Sequence, residues 1–428
     1  MSITLNTGQK SAAETVMDFL LQKGKSEIVI EGPAGTGKST LVEYILKDIV
    51  NQRKLLKLIM GTPTEKELAI EVTATTNKAA KVISALVGTE ARTIQSFLNL
   101  TIKPNFKDGT NDLVPTNNYV IIRNKIIFID ECSFIDLNLL DWIRKTTLNC
   151  KIVFIGDPFQ LAPVRVSQAP VFSQGIEAVR LTEIMRNGGA IQALSNQYRD
   201  TVESSIFPVL KPNQLDVMHV SGPSFQSMVN KEFFSPLSHL NLIPVNSKII
   251  AWSNDKVIEY NDYIRDLNGF GKKLEVGEEV ITNKPILVGD FHASTDSSLI
   301  VTSVGDADTQ HFVDGYYVEL NESISMFVPN NPKDMKGAMK RLAKAKEWHD
   351  YFGIKNTWGD LRSPYACTIH KSQGSTYDKV FIDLSDIGRC NISTDVARML
   401  YVAISRASRQ VILYGSLPIK YGVMEHAA

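Results

Sequence analysis

The chain has 428 residues, more than one hydrophobic core accommodates, so two or three domains are expected. Its 46 lysines and arginines balance 46 aspartates and glutamates, which excludes a bulk-basic nucleic-acid binder and confines any such surface to a local groove. The scattered Cys132, Cys150, Cys367 and Cys390 and the seven histidines lack metal-ligand spacing, and no apolar run reaches the roughly 18 residues of a membrane span, so neither zinc nor a membrane is expected and the reading is an intracellular protein in a reducing compartment.

In chain order, Ile28-Val29-Ile30 reads as a buried strand that runs into Gly32-Pro33-Ala34-Gly35-Thr36-Gly37-Lys38-Ser39 and then a helical pattern from Thr40. Leu68–Val72, Ile126–Ile129 and Ile152–Ile155 are further buried parallel strands. Between them, Thr101–Val120 holds an inserted element with Asp108-Gly109 as a hairpin turn signal. A second α/β region follows: strand Lys248–Trp252, helix Asn254–Ile264, strand Val380–Leu384, helix Thr394–Val402 and strand Val411–Tyr414. Its interruption, Lys272–Val328, alternates in short strands such as Glu279–Ile281, Ser298–Val301 and Gly315–Glu319, which suggests a small β-barrel. A cationic helical stretch, Pro332–Tyr351, carries Lys333, Lys336, Lys340, Arg341, Lys344 and Lys346. The expected fold is α/β with two parallel-sheet domains: 1–180, then 181–271 with 362–428, with the insertion at 272–361.

Residues 32–39 form a phosphate-binding loop in strand-turn-helix context, where backbone N–H groups and a helix N-terminus bind polyphosphate. Lys38 would reach the β- and γ-phosphates and the Ser39 hydroxyl would ligate Mg²⁺, so ATP with Mg²⁺ is the expected cofactor pair. Asp130 and Glu131 end a buried strand at the edge where α/β sheets place ligands; Asp130 would hold the metal and Glu131 polarise the attacking water. Gln160, in Gly156-Asp157-Pro158-Phe159-Gln160-Leu161, could sense the γ-phosphate or that water through its amide.

The order of motifs resembles the superfamily 1 helicases of the RecD/Dda branch (superfamily 1B) along nearly the whole chain. The matching blocks are Thr7-Gly8-Gln9, the phosphate loop, Thr73 to Ala80, Arg92-Thr93-Ile94-Gln95-Ser96, Ile129 to Ser133, Gly156 to Leu161, Leu181 to Arg186, Thr368 to Thr376, and Tyr401 to Ala407. The resemblance implies two RecA-like domains with an inserted β-hairpin and an inserted SH3-like β-barrel. It implies that Gln9 reads adenine, that Gln373 and Gly374 line the nucleotide cleft, and that Arg186 and Arg406 approach the γ-phosphate from the second domain.

For single-stranded DNA the resemblance points to Thr76, Asn77, Lys78, Thr93, Gln95 and Pro163 in the first domain, and Trp252, Ser253, Asn254, Thr368 and His370 in the second. Trp252 either stacks on a base or packs the core, and His370 either contacts DNA or caps local backbone. Phe106, within the hairpin insertion, either meets bases at the fork or packs its own hairpin. Two positions depart from the family pattern: Thr75 stands where proline is usual and Gln95 where histidine is usual. The implied activity is ATP-dependent unwinding of fork DNA by a monomer moving 5′ to 3′, in a phage-infected bacterial cytoplasm, with phage replication or recombination proteins as partners. A translocase that displaces proteins with little unwinding, or a nucleotide-controlled binding switch, would use some of the same motifs.

Overall fold

The computed structural model describes residues 4–60, 69–88, 90–163, 166, 168–183, 189–234, 246–288 and 291–422; the side chains of 52–60, 287–288 and 291–292 are outside the description. The chain divides into two compact units, residues 1–103 with 113–189, and residues 104–112 with 190–428.

Unit 1 is built on a parallel sheet in the spatial order Ala178–Arg180, Glu27–Glu31, Lys151–Gly156, Lys125–Asp130, Ala69–Ala74, Arg92–Thr93. Successive residues of a strand face opposite sides, and both sides are covered. Ile28, Ile30, Phe128, Val153 and Ile155 pack on one side with helices Thr7–Leu21 and Lys38–Met60. Val29, Ile127, Ile129, Ile152 and Phe154 pack on the other with helix Leu137–Thr146. This two-sided burial explains the unbroken apolar runs in the sequence. Each strand expected here is present and slightly longer than its apolar run; residue 68 of the expected Leu68–Val72 lies outside the described residues.

Unit 2 contains a second parallel sheet in the order Val217–Val220, Ala407–Tyr414, Tyr377–Asp383, Ser247–Ala251, Ala366–Thr368. Helices Gly222–Phe233 and Asn254–Leu267 cover one face through Phe225, Phe233, Val257 and Ile264. Helix Ser393–Ser405 is buried all round from Val396 to Ile404. Between the strands of this sheet the chain forms an antiparallel five-stranded sheet, Ile324–Pro329, Val313–Leu320, Ser298–Gln310, Glu279–Thr282, Leu361–Arg362. A buried bidentate pair, Arg265 to Glu278 at 2.8 and 2.9 Å, fixes its first strand to helix Asn254–Leu267. The cationic stretch differs from expectation. It is two helices, Pro332–Ala345 and Trp348–Thr357, because Lys346 turns left-handed at φ 61° and caps the first.

Candidate active site and nucleic-acid interface

The strand Glu27–Glu31 ends in the phosphate loop, and helix Lys38–Met60 begins at its far side. Gly35 and Gly37 have φ of 87° and 76°, a left-handed geometry that curls the loop as an anion-binding turn requires. Gly32 is required for space: a Cβ there would lie 2.7 Å from the Leu181 carbonyl oxygen and 2.9 Å from Thr36 Oγ1. Thr36 donates its hydroxyl to the Pro33 carbonyl at 2.9 Å, and Lys38 Nζ donates to the carbonyls of Gly32 (2.6 Å) and Pro33 (3.0 Å), so the lysine arches over the loop it serves. Ala34 completes the turn, and Ser39 sits half-buried in the first helical turn.

Gln9 belongs to this assembly in a way the sequence did not show. It is 2% exposed, its amide donates to the Thr36 carbonyl at 3.0 Å, and its amide oxygen accepts from the Asn6 N–H in a reciprocal capping box. Gln9 thus holds the phosphate loop against helix Thr7–Leu21. One amide hydrogen remains for a nucleobase edge.

Strand order sets the rest. Lys151–Gly156 lies between the phosphate-loop strand and the strand that ends in Asp130, so all three deliver their carboxyl ends to one edge. Asp130 accepts from the Glu131 N–H at 2.9 Å. Burial pushes its carboxyl pKa upward, opposed by that N–H and by the Lys38 ammonium. Glu131 takes a left-handed φ of 52°, which turns the chain sharply after the strand. Gly156 makes this packing possible, since a Cβ there would meet Cys132 Sγ at 2.6 Å. Burial holds the Cys132 thiol well above its ordinary pKa, which makes it packing rather than chemistry. Gln160 follows, buried, with its amide 3.5 Å from Asp157 Oδ2. Asp157 is itself fully buried and accepts from the Phe159 N–H at 2.9 Å, so the Gly-Asp-Pro turn is an internal clamp that aims Gln160.

In unit 2, Arg406 is 5% exposed and donates to the carbonyls of Val402 (3.1 Å) and Ser375 (3.2 Å) and to Ser405 Oγ (2.9 Å). Gln373 is buried, and Gly374 has a left-handed φ of 71° just before Ser375, so these three expected nucleotide residues are neighbours. Reaching a phosphate from here requires the guanidinium to exchange some of those bonds. Arg186 lies outside the described residues.

The expected DNA residues share one local design. Thr76, Thr93, Ser253 and Thr368 each end or follow a parallel strand and cap the next helix, accepting from the N–H of Ala79, Ser96, Lys256 and Lys371 respectively. Their hydroxyls are engaged, and the groups that face solvent are those that come after: Asn77, Lys78, Asn254 and His370 are exposed. Thr368 is buried and Pro163 half-buried. Gln95 has an amide oxygen that is buried without a hydrogen-bond partner among the described residues. Trp252 is half-buried, and its N–H and that of Ser253 both donate to Asp386 Oδ2, at 2.8 and 2.7 Å, while the Ser253 hydroxyl donates to Asp386 Oδ1 at 2.7 Å. Asp386, 3% exposed, is a site residue that sequence reasoning missed: it fixes the Trp252-Ser253 backbone from 133 to 134 positions away.

Leu100–Pro104 and Asn111–Pro115 form a two-stranded sheet, and the tip they frame is counted with unit 2. There Phe106 meets Phe352 edge-to-face at 5.2 Å, while remaining 53% exposed. Gly109, at φ 74°, lies so close to the Trp348 ring that a Cβ would stand 2.3 Å from it. The Phe106 ring therefore packs on the helix Trp348–Thr357 with one side open to solvent.

Residues 4–211 match the family described as AAA domain, and residues 364–414 match the UvrD-like helicase C-terminal domain. The ATP-dependent DNA helicase dda of Enterobacteria phage T4 is 25% identical over 457 residues, covering 95% of this chain and 98% of its own. The RecBCD enzyme subunit RecD of Mycobacterium tuberculosis is 21% identical, over 95% of this chain and 69% of its own. Among solved structures, the Pif1 helicase from Bacteroides in complex with ADP-AlF3 and ssDNA superposes with a TM-score of 0.50 at 17% identity, over 100% of this chain and 95% of that one, a likeness of fold. With the motif blocks in order along both units and the phosphate loop, Asp130-Glu131 and Gln160 on one sheet edge, the chain belongs to the superfamily 1 helicases of the RecD/Dda branch, the ATP-dependent DNA helicases.

Proposed function

We propose that the chain moves 5′ to 3′ on single-stranded DNA and splits the duplex at a fork, with the two parallel sheets as RecA-like domains. In this reading the antiparallel sheet is an SH3-like insertion and the hairpin around Phe106 is the strand-separating pin. The observation that carries the reading is the convergence in unit 1 of nucleotide and DNA chemistry: the strand Ala69–Ala74 pairs with the strand ending in Asp130 and leads directly into Thr76, Asn77 and Lys78. The helicase activity of the phage T4 relative and the ssDNA bound by the Bacteroides protein support the partner class.

The donor set fits Mg²⁺. A hydroxyl at Ser39 and a desolvated carboxylate at Asp130 suit a hard cation that keeps several waters and takes further oxygens from substrate phosphates. When bound, the ion neutralises phosphate charge. Lys38 and the loop N–H groups hold the β- and γ-phosphates, Glu131 removes a proton from the attacking water, Gln160 orients that water, and Arg406 and Arg186 stabilise the charge that develops. Gln9, Gln373 and Gly374 complete the nucleotide contacts. Asn77, Lys78, Asn254 and His370 meet the strand, with Thr76, Thr93, Gln95, Pro163, Trp252 and Thr368 shaping the track. In this reading the chain acts as a monomer on forked DNA, in phage replication or recombination inside an infected bacterial cytoplasm; the phage source of the T4 relative supports the phage setting, and among the described residues no helix is long and apolar enough to cross a membrane.

The test is steady-state ATP hydrolysis with and without single-stranded DNA, followed by unwinding of duplexes with a 5′ or a 3′ tail. Lys38→Ala should abolish both activities. Unwinding only from the 5′ tail is the expected result; unwinding from the 3′ tail reverses the polarity, and hydrolysis indifferent to DNA overturns the motor. Phe106→Ala is expected to keep DNA-stimulated hydrolysis within about twofold while losing most unwinding, since stacking of an aromatic on a base is worth about 1–3 kcal/mol. Unwinding at the normal rate in that variant would remove Phe106 from the pin.

A further inference from the structure

Thr75 occupies the single position between the strand Ala69–Ala74 and the cap Thr76. It is 8% exposed, and both of its donors bond the backbone of the two acidic residues: the N–H donates to the Asp130 carbonyl at 3.1 Å and the hydroxyl donates to the Glu131 carbonyl at 2.8 Å. A proline, the residue usual in the family here, has neither donor. The peptide units on either side of Glu131 are held at several points. Its N–H is bound to Asp130 Oδ1, and its carbonyl accepts from Thr75 and from the Phe134 N–H at 3.2 Å. That clamp matters because a non-glycine residue at φ 52° is in a costly left-handed conformation that its surroundings must maintain.

The segment 75–78 has a second end. One residue beyond Thr75, Thr76 starts helix Asn77–Val87, whose first side chains, Asn77 and Lys78, are exposed. A pull on Asn77 and Lys78 therefore acts on Thr75 through a single capped residue, and Thr75 is bonded to the backbone of both acids. We propose that Thr75 is a positioning residue that transmits DNA occupancy at Asn77 and Lys78 to the carboxylate of Glu131. This rests on the assignment of Glu131 as the base and of residues 76–78 as a DNA contact. In this proposal Thr75 acts through the Glu131 carbonyl.

Thr75→Val keeps the shape and the N–H bond and removes the hydroxyl donor; Thr75→Ser keeps the donor. The experiment measures kcat and KM for ATP with and without oligothymidine, oligothymidine affinity, and thermal melting for the wild type and both variants. A hydroxyl bond of ordinary strength corresponds to about three- to tenfold in rate. The expected result is that Thr75→Val lowers the ratio of DNA-stimulated to basal kcat by about three- to tenfold, with KM for ATP and oligothymidine affinity unchanged, and that Thr75→Ser restores the ratio to within about twofold. An unchanged ratio overturns the proposal, whether both rates stay normal or fall together. So does a loss in Thr75→Ser equal to that in Thr75→Val. A wild type with no DNA stimulation at all overturns the helicase reading itself, and that outcome is seen before either variant is compared.

Discussion

Replacing Arg406 with alanine is expected to lower kcat for ATP by about 10³-fold or more, the range known for arginines that stabilise phosphoryl-transfer charge. ATP affinity should change far less, because charge on the transferring phosphoryl group spreads only in the transition state. The structure adds a complication that the measurement must separate. The guanidinium bonds Val402, Ser375 and Ser405 inside unit 2, so its removal also takes three hydrogen bonds from the packing there, although the Ser405 hydroxyl keeps its bond to the Val402 carbonyl. Arg406→Lys resolves this: it keeps a charge but loses the planar fork, and should still cost at least about 10² in kcat. Melting curves of both variants show whether unit 2 is intact. A folded Arg406→Ala protein that hydrolyses ATP within about tenfold of normal would leave the charge-stabilising role to another residue, with Arg186 the first to replace.

Glu131→Gln should lower kcat by about 10² to 10⁴, the usual contribution of a positioned general base. The amide is nearly isosteric, and the Glu131 backbone bonds do not involve the altered group. Binding of ATP should therefore survive, giving a protein that holds ATP and single-stranded DNA together without turnover. Equilibrium nucleotide binding and single-turnover hydrolysis on the same preparation check both halves. Hydrolysis reduced less than about tenfold would mean that the attacking water is activated elsewhere. Asp130 is not an equivalent target, because removing its charge also removes the carboxylate that would hold the metal.

The parts legible in the sequence were those whose cause is local. Residues 32–39 announce themselves through glycines that must turn left-handed and a lysine that must follow, and the buried strands through runs of apolar residues that need cover on both faces. The two-helix form of Pro332–Thr357 was not legible, since the helical pattern continues through Lys346 and only the left-handed backbone there breaks it. The strand Val217–Val220 was missed because it lies at a sheet edge, where His219 and a short length weaken the apolar signal. In the site, what escaped were long-range hydrogen bonds: the grip of Gln9 on the phosphate loop, 27 positions distant, the bond from Thr75 to Glu131, 56 positions distant, and the anchorage of Ser253 on Asp386. No spacing rule encodes such partners. A departure from the family pattern, as at Thr75, is the one signal that directs attention to them. The capping role of the hydroxyls expected to meet DNA was also not read from the sequence: Thr76, Thr93 and Thr368 each accept from a helix N–H.

The strand, cap and helix that recur in both units differ in what stands behind them. In unit 1 the turn leans on the backbone of Asp130 and Glu131, the acids proposed to hold the metal and activate water; in unit 2 the turn at Trp252-Ser253 leans on Asp386, a buried anchor whose carboxylate bonds that turn and Arg389. Under the proposed assignment, DNA held at the first turn would act on the residues that hydrolyse ATP, whereas DNA held at the second would meet a support with no bond to them.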